Sequence, residues 1–190
     1  MTRIGILGGT FSPAHLGHLE LALLAKKSLN LSAIYIMPCQ FPPHKKDCLI
    51  TTHRLNILRK IFINAPSVYL DFSEILRNGP SLTHLSLSNW QKKHPKDRLF
   101  FIQGSDSFAT ITEWENWLEM IDHAEMVVIP RGTPVEVPMQ WQHCKHRIHV
   151  LDESVRAVSS TDIRTSKDKK WIIEQMGEPA GKYYLSKCID

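Results

Sequence analysis

A chain of 190 residues, 43% apolar and 22% charged, has the composition of one globular domain with a single core. It holds no apolar run as long as a membrane span and no signal-peptide pattern at its start, so a membrane role is not expected. The net charge of +4 is scattered without a block of like sign, which suits anionic small molecules but provides no basic stripe for nucleic acid.

In chain order, short β-rich runs alternate with amphipathic segments. RIGIL (residues 3–7) reads as the first strand and leads through GGTFSPAHLGH into the helical segment LGHLELALLAKKSLN. AIYIMP follows as a strand, then the proline-rich loop PCQFPPHKKD (Pro38 to Asp47) and the helix TTHRLNILRKIFIN. VYLDF, RLFFIQG, EMVVIPR and RIHVLD read as further strands, with SLTHLSLSNWQKKH and WENWLEMIDHA as helices between them. Several strands are apolar on both faces, as buried parallel strands are. This alternation predicts an α/β fold with a doubly wound parallel sheet. From Ser160 onward the chain turns helical again, and KKWIIEQM and GKYYLSKCID predict a small C-terminal helical cap over about residues 160–190. With no repeat, low-complexity tract or linker, residues 1–190 are expected to form one domain. The cysteines Cys39, Cys48, Cys144 and Cys188 form no CxxC pair, which points to reduced thiols and a cytoplasmic protein.

The junction GGTFSPAHLGH concentrates the chemistry. Gly8 and Gly9 end a strand where a bare backbone can bend and approach a ligand. A helix beginning near Leu16 offers unpaired N–H groups and a positive dipole end, which favour phosphate oxygens. His15 and His18, three residues apart, can face the same side of that turn. Gly17 between them keeps the anion's approach open, and Thr10 adds a hydroxyl at the rim. Farther on, VSSTDIR reads as a capped helix start, with Ser159 or Ser160 as cap and Arg164 on the first turn. Such a turn is a clamp for phosphate groups.

GGTFSPAHLGH resembles the GGTFxPxHxGH signature of the HxGH nucleotidyltransferase superfamily, and VSSTDIR its second signature, SxTxxR, at Ser159, Thr161 and Arg164. PCQFPPHKK, EILRNGPSLT, FIQGSDSFATITEW and VVIPRG resemble successive blocks of the bacterial nicotinate-mononucleotide adenylyltransferases, so the likeness runs through nearly the whole chain. The resemblance implies a Rossmann-like sheet and adenylyl transfer from ATP to nicotinate mononucleotide in NAD biosynthesis. It implies His15, His18 and Arg164 as catalytic residues. Gly8, Gly9, Thr10, Phe11, Gly104, Asp106, Ser159 and Thr161 would join them in binding ATP. For the mononucleotide it implies Lys45, Thr83, Trp114 and Arg131. Mg²⁺ would arrive with ATP, held mainly by its phosphates, with no metal site of the protein's own. Ser12 stands where the family has Asp, Leu82 where it has Tyr, and Met176 and Gly177 where it has Leu and Pro.

Three other readings stay open at this level. A sibling transferase would use pantetheine phosphate, glycerol phosphate or the amide mononucleotide as acceptor, and the Thr83 and Trp114 blocks argue against it. A nucleic-acid module would need a Lys/Arg stripe, and a nucleotide sensor without turnover would share the binding residues. HCKHRIH places His143, Cys144, His146 and His149 close together, but no second ligand pair at zinc-finger spacing accompanies it. Trp117 reads as a core residue. Oligomeric state is not legible.

Overall fold

The computed structural model describes residues 1–41 and 48–189. At its centre six strands, β1 (Arg3–Gly9), β2 (Ala33–Pro38), β3 (Val68–Leu70), β4 (Arg98–Gly104), β5 (Glu125–Ile129) and β6 (Ile148–Val150), form one sheet in the order β3-β2-β1-β4-β5-β6. Every pairing is parallel. Each strand coincides with or overlaps a run expected to form one, β1 running two residues past RIGIL to Gly9, and the doubly wound α/β arrangement is the one expected. Leu7 is level with Ile36 on one side and Ile102 on the other, so Gly9 and Gly104 reach the same edge of the sheet. The strand order reverses between β1 and β4. Connections therefore leave that point on opposite faces and open a crevice at the strands' carboxyl ends.

The helices are α1 (Leu16–Ser28), α2 (Thr51–Phe62), α3 (Ser73–Leu76), α4 (Thr83–Lys93), α5 (Ser105–Phe108), α6 (Trp117–His123), α7 (Ser160–Thr165), α8 (Lys169–Met176) and α9 (Glu178–Lys187). Alternate side chains of the central strands feed two cores. Phe100, Ile102, Val127 and Ile129 pack with Leu21 and Ala25 of α1, Ile57 and Leu58 of α2, and Ile172 and Tyr184 of α8 and α9. Leu99, Phe101, Met126 and Val128 pack on the other face with Leu87 and Trp90 of α4 and Met120 and Ile121 of α6. This split follows from the period of two in an extended strand. The helical cap after Ser160 is held to α2 through the Tyr183 hydroxyl, which lies 2.9 Å from His53 Nδ1 and accepts from Asn56 Nδ2 at 3.0 Å.

One boundary differs from the sequence pattern. The periodic run WENWLEMIDHA predicts a helix from Trp114, whereas α6 starts at Trp117, after a 3-10 turn at Ile111–Glu113 and a left-handed Asn116 at φ 50°. Asparagine tolerates that conformation, and it stops the helix from extending backward. Trp114 is thereby released from the helix. Trp117 packs on Trp141 with ring centroids 5.0 Å apart, as a core residue does. Among the described residues no helix is long and apolar enough to cross a membrane.

Candidate active site

At the end of β1 the chain makes its turn through Phe11, whose φ of 51° is left-handed. Its ring is buried and meets His18 edge-on with centroids 4.9 Å apart. A Cβ on Gly9 would stand 3.1 Å from that ring, so Gly9 makes room for Phe11 to lie beneath the turn. With its ring inside, Phe11 can offer a ligand only backbone. A Cβ on Gly17 would meet His15 Nδ1 at 3.0 Å and the Arg156 stem at 3.3 Å, so Gly17 admits its own neighbours.

His15 is the N-cap of α1, with extended backbone. Its N–H donates to His18 Nδ1 at 3.2 Å. A ring nitrogen that accepts a backbone proton carries none of its own, so neutral His18 holds its proton on Nε2. The two imidazoles lie 3.8 Å apart by centroid. His15 is 1% exposed and its Nδ1 has no hydrogen-bond partner. Burial first, then the positive charges of Arg131 and Arg156, lower its pKa to about 3. His15 is therefore uncharged at neutral pH.

The second signature docks onto this turn. Ser160 Oγ donates to Pro13 O at 2.9 Å, and Arg164 donates to Ser12 O at 2.5 Å and to Thr161 Oγ1 at 3.1 Å. Ser159 caps α7, accepting from the Asp162 N–H at 3.1 Å while its own N–H donates to the Asp162 carboxylate at 2.8 Å. Losing such a cap costs about 1 kcal/mol, or about 2–4 °C of Tm in a chain of this size. Ser159→Ala is expected to lower the thermal midpoint by that amount, measured by circular dichroism.

Arg131 belongs to the same group. Its guanidinium reaches the Val158 carbonyl just before α7 and lies 3.5 Å from Asp106. Ser12, the departure from the family's Asp, is buried, and its hydroxyl accepts from the Leu49 N–H at 2.8 Å. The serine thus ties the turn to the chain beyond the proline-rich loop.

From the glycine turn a cavity of about 400 Å³ runs across the strand ends. Gly8, Gly9, Thr10 and Asp106 line it, and so do Thr83 and Trp114. Thr83 sits on the first turn of α4, and Trp114 meets Phe101 edge-on at 6.3 Å. Gly104 ends β4, immediately before the turn that carries Asp106. The structure thus brings the expected residues together in two groups. His15, His18, Ser159, Thr161, Arg164 and Arg131 gather by the α1 and α7 starts, whereas Thr83 and Trp114 wall the cavity. Arg131 falls with the first group and is not among the residues lining the cavity. Lys45 lies outside the described residues.

The sequence matches the model of the cytidylyltransferase-like family over residues 6–166. A protein of Shewanella sp. (strain ANA-3) named "Probable nicotinate-nucleotide adenylyltransferase" is 36% identical over 205 residues, covering 97% of both chains. The chain belongs to the cytidylyltransferase-like family, in its nicotinate-nucleotide adenylyltransferase group. A second relative of that name, from Shewanella frigidimarina (strain NCIMB 400), is 38% identical over 85% of this chain and 86% of its own. Among solved structures, the Plasmodium falciparum nicotinic acid mononucleotide adenylyltransferase complexed with APC aligns with TM-score 0.78 and 17% identity, over 100% of this chain and 97% of its own. The same enzyme complexed with NaAD also aligns at TM-score 0.78. At that identity the likeness shows that the fold is shared.

One residue of this cytidylyltransferase-like site escaped the motifs. Arg54 of α2 is 2% exposed and donates to the carbonyls of Thr10 (2.9 Å), Cys39 (2.7 Å) and Leu49 (3.1 Å). It binds the end of β1 to both sides of the proline-rich loop. The readable signal was a charge in an apolar stripe, since Arg54 shares the buried face of α2 with Ile57, Leu58 and Ile61. In HCKHRIH, His149 Nε2 lies 2.7 Å from Glu125, which also accepts from Arg98. Burial pushes the Glu125 carboxyl up, but the bonds from His149 and Arg98 outweigh it and hold the group below its usual range. His149 therefore joins the hydrogen-bond cluster on Glu125, and no group of three His, Cys, Asp or Glu among the described residues is arranged to hold a metal.

Proposed function

We propose that this chain transfers the adenylyl group of ATP to nicotinate mononucleotide, forming the deamido form of NAD and releasing pyrophosphate. The observation that carries this is one cavity lined both by Gly8, Gly9 and Thr10 of the glycine turn and by Thr83 and Trp114. It has room for a mononucleotide whose phosphate points at the α1 start and whose pyridine ring reaches the indole. The names of the curated relatives agree with this substrate pair.

In the reaction a phosphate oxygen of the mononucleotide forms a bond to the α-phosphorus of ATP. The bond from that phosphorus to the bridging oxygen of the leaving pyrophosphate breaks, and the electron pair stays with the oxygen. The attacking phosphate is already ionised at neutral pH, so no general base is needed. Catalysis then rests on alignment and on positive or N–H groups placed where charge develops. His18, with its proton on Nε2, donates to the α- and β-phosphates. Arg164 and the start of α7 receive the β- and γ-phosphates, with Arg131 beside them. Asp106 serves the ribose. Lys45 meets the mononucleotide phosphate.

The donor set around the phosphate group is imidazole, guanidinium and hydroxyl, and the nearby carboxylate, Asp106, is engaged by Arg131. Such a set suits Mg²⁺ carried in by ATP and held by phosphate oxygens and water. When bound, the ion neutralises charge on the departing pyrophosphate. We further read residues 1–190 as one nucleotidyltransferase domain acting on small molecules, in the cytoplasm, where its four thiols stay reduced.

The test is pyrophosphate release from ATP, with and without nicotinate mononucleotide. Release that ignores the mononucleotide, or answers only to another phosphorylated acceptor, would remove this reading in favour of a sibling transferase. For Arg164→Ala the expected change is a rise of about 10-fold in KM for ATP, the scale for losing a charge-assisted phosphate contact, with a smaller change for the mononucleotide. Equal rises in both would show that Arg164 only braces the turn at Ser12.

A further inference from the structure

Thr83 and Trp114 stand on separate elements, and their spacing decides whether a ring bound by one is also gripped by the other. The side chain next to Thr83 spans that gap. His84 is 4% exposed in the first turn of α4. Its Nδ1 lies 3.0 Å from the carbonyl of Glu115, 31 residues away, and its Nε2 lies 3.2 Å from the carboxamide nitrogen of Asn116. One tautomer satisfies both contacts: Nδ1–H donates to the carbonyl, and Nε2 accepts from the amide. The left-handed Asn116 stands at the point where the chain leaves Trp114 and enters α6.

The opposite side of the α4 start is tied as well. Ser81 Oγ accepts from the Gln40 N–H at 2.9 Å, and the Ser81 N–H donates to Phe41 O at 3.2 Å. Thr83 is thus braced toward β2 on one side, and toward the Trp114 turn on the other by His84. The far end of the α4–α6 contact has its own bonds, between Gln91 and His123 at 2.7 Å and from Gln91 to Asp122 O at 3.4 Å, over the apolar packing of Leu87 and Met120. Those contacts keep the helices together without His84.

We infer that His84 is a positioning residue for the acceptor pocket: clamped between the Glu115 carbonyl and the Asn116 amide, it sets the distance from Thr83 to the Trp114 indole and so the affinity for the mononucleotide. This rests on the assignment of that cavity to the mononucleotide. His84 touches no substrate, so its effect falls on binding of the acceptor and spares the phosphate chemistry.

Steady-state kinetics of His84→Ala, His84→Asn and Asn116→Gly against wild type decide it. Loss of the two bonds is expected to raise KM for nicotinate mononucleotide about 5–10-fold in His84→Ala, with kcat and KM for ATP within about twofold. His84→Asn, which keeps a donor for the Glu115 carbonyl, recovers part of that loss. Asn116→Gly tolerates the left-handed backbone and raises the same KM, and its exposed side chain keeps the question answerable if His84→Ala does not fold. An unchanged KM for the mononucleotide, or equal rises for both substrates, overturns the inference. Amide hydrogen exchange at residues 113–117 in the substrate-free protein is expected to quicken in His84→Ala, and unchanged exchange overturns the tether itself. A wild type that ignores nicotinate mononucleotide would overturn the substrate assignment instead, and the exchange measurement would still decide the tether.

Discussion

Replacing His18 with alanine is expected to lower kcat by about 10²-fold or more while leaving the fold intact, the scale for deleting one preorganised donor at a developing charge. On the proposed mechanism this imidazole is the donor. Its Nδ1 takes the N–H of His15, and the ring is held between Phe11 and His15. His15 is expected to differ in kind, since in the free enzyme burial and two arginines keep it neutral down to a pH of about 3. The sign follows directly. Below pH 6.5 the unfolded chain takes up a proton there that the native state refuses, so this group lowers stability as the pH falls from 6.5 toward 3. Single-turnover measurement of pyrophosphate release by His18→Ala, with circular dichroism to verify folding, tests the assignment. A near-normal rate in a folded protein would take His18 out of the mechanism.

The wild type is expected to prefer nicotinate mononucleotide over its amide by about 10²-fold or more in kcat/KM, because charge-assisted bonds are worth roughly twice neutral ones. Acidic side chains also line this cavity. Glu74 accepts from Ser86 Oγ at 2.5 Å and lies 3.9 Å from Arg77, while Glu113 and Glu115 are exposed. On the proposed assignment of this cavity, the start of α4 would face the pyridine carboxylate. Its N-cap is Leu82, with no side chain capping the first turn, so the N–H groups there remain available beside the Thr83 hydroxyl. A carboxylate accepts from all of them, whereas an amide turns one donor group toward them. On the same proposal the indole of Trp114 would meet the ring common to both substrates. Trp114→Ala should therefore weaken acid and amide alike, and Thr83→Ala should shrink the ratio between them. Measuring kcat/KM for both mononucleotides in the three proteins decides the matter. Equal use of acid and amide by the wild type would end the acid assignment while leaving adenylyl transfer in place.

The order of strands and helices, the glycine turn and both phosphate signatures were legible in the sequence because each is a local property. Periods of two and of 3.6 are written in neighbouring residues, and a turn or cap needs only a few of them. RLFFIQG and EMVVIPR could be read as buried strands without knowing their partners, and VSSTDIR as a helix start without knowing where it points. Contacts between distant segments could not be read in this way. Ser160 and Arg164 seat α7 on Pro13 and Ser12, and Arg131 reaches the Val158 carbonyl and Asp106. Gly17 makes room for the His15 ring and the Arg156 stem. Asn116 frees Trp114 from a helix that periodicity alone would have extended through it. Arg54 shows the division most plainly. Its place in the apolar stripe of α2 is visible in TTHRLNIL, but a guanidinium can be buried there only because the ends of β1 and β2 bring the Thr10 and Cys39 carbonyls to it. Side-chain chemistry states what a buried charge requires, and the crossing of the chain over the sheet decides which carbonyls meet the requirement.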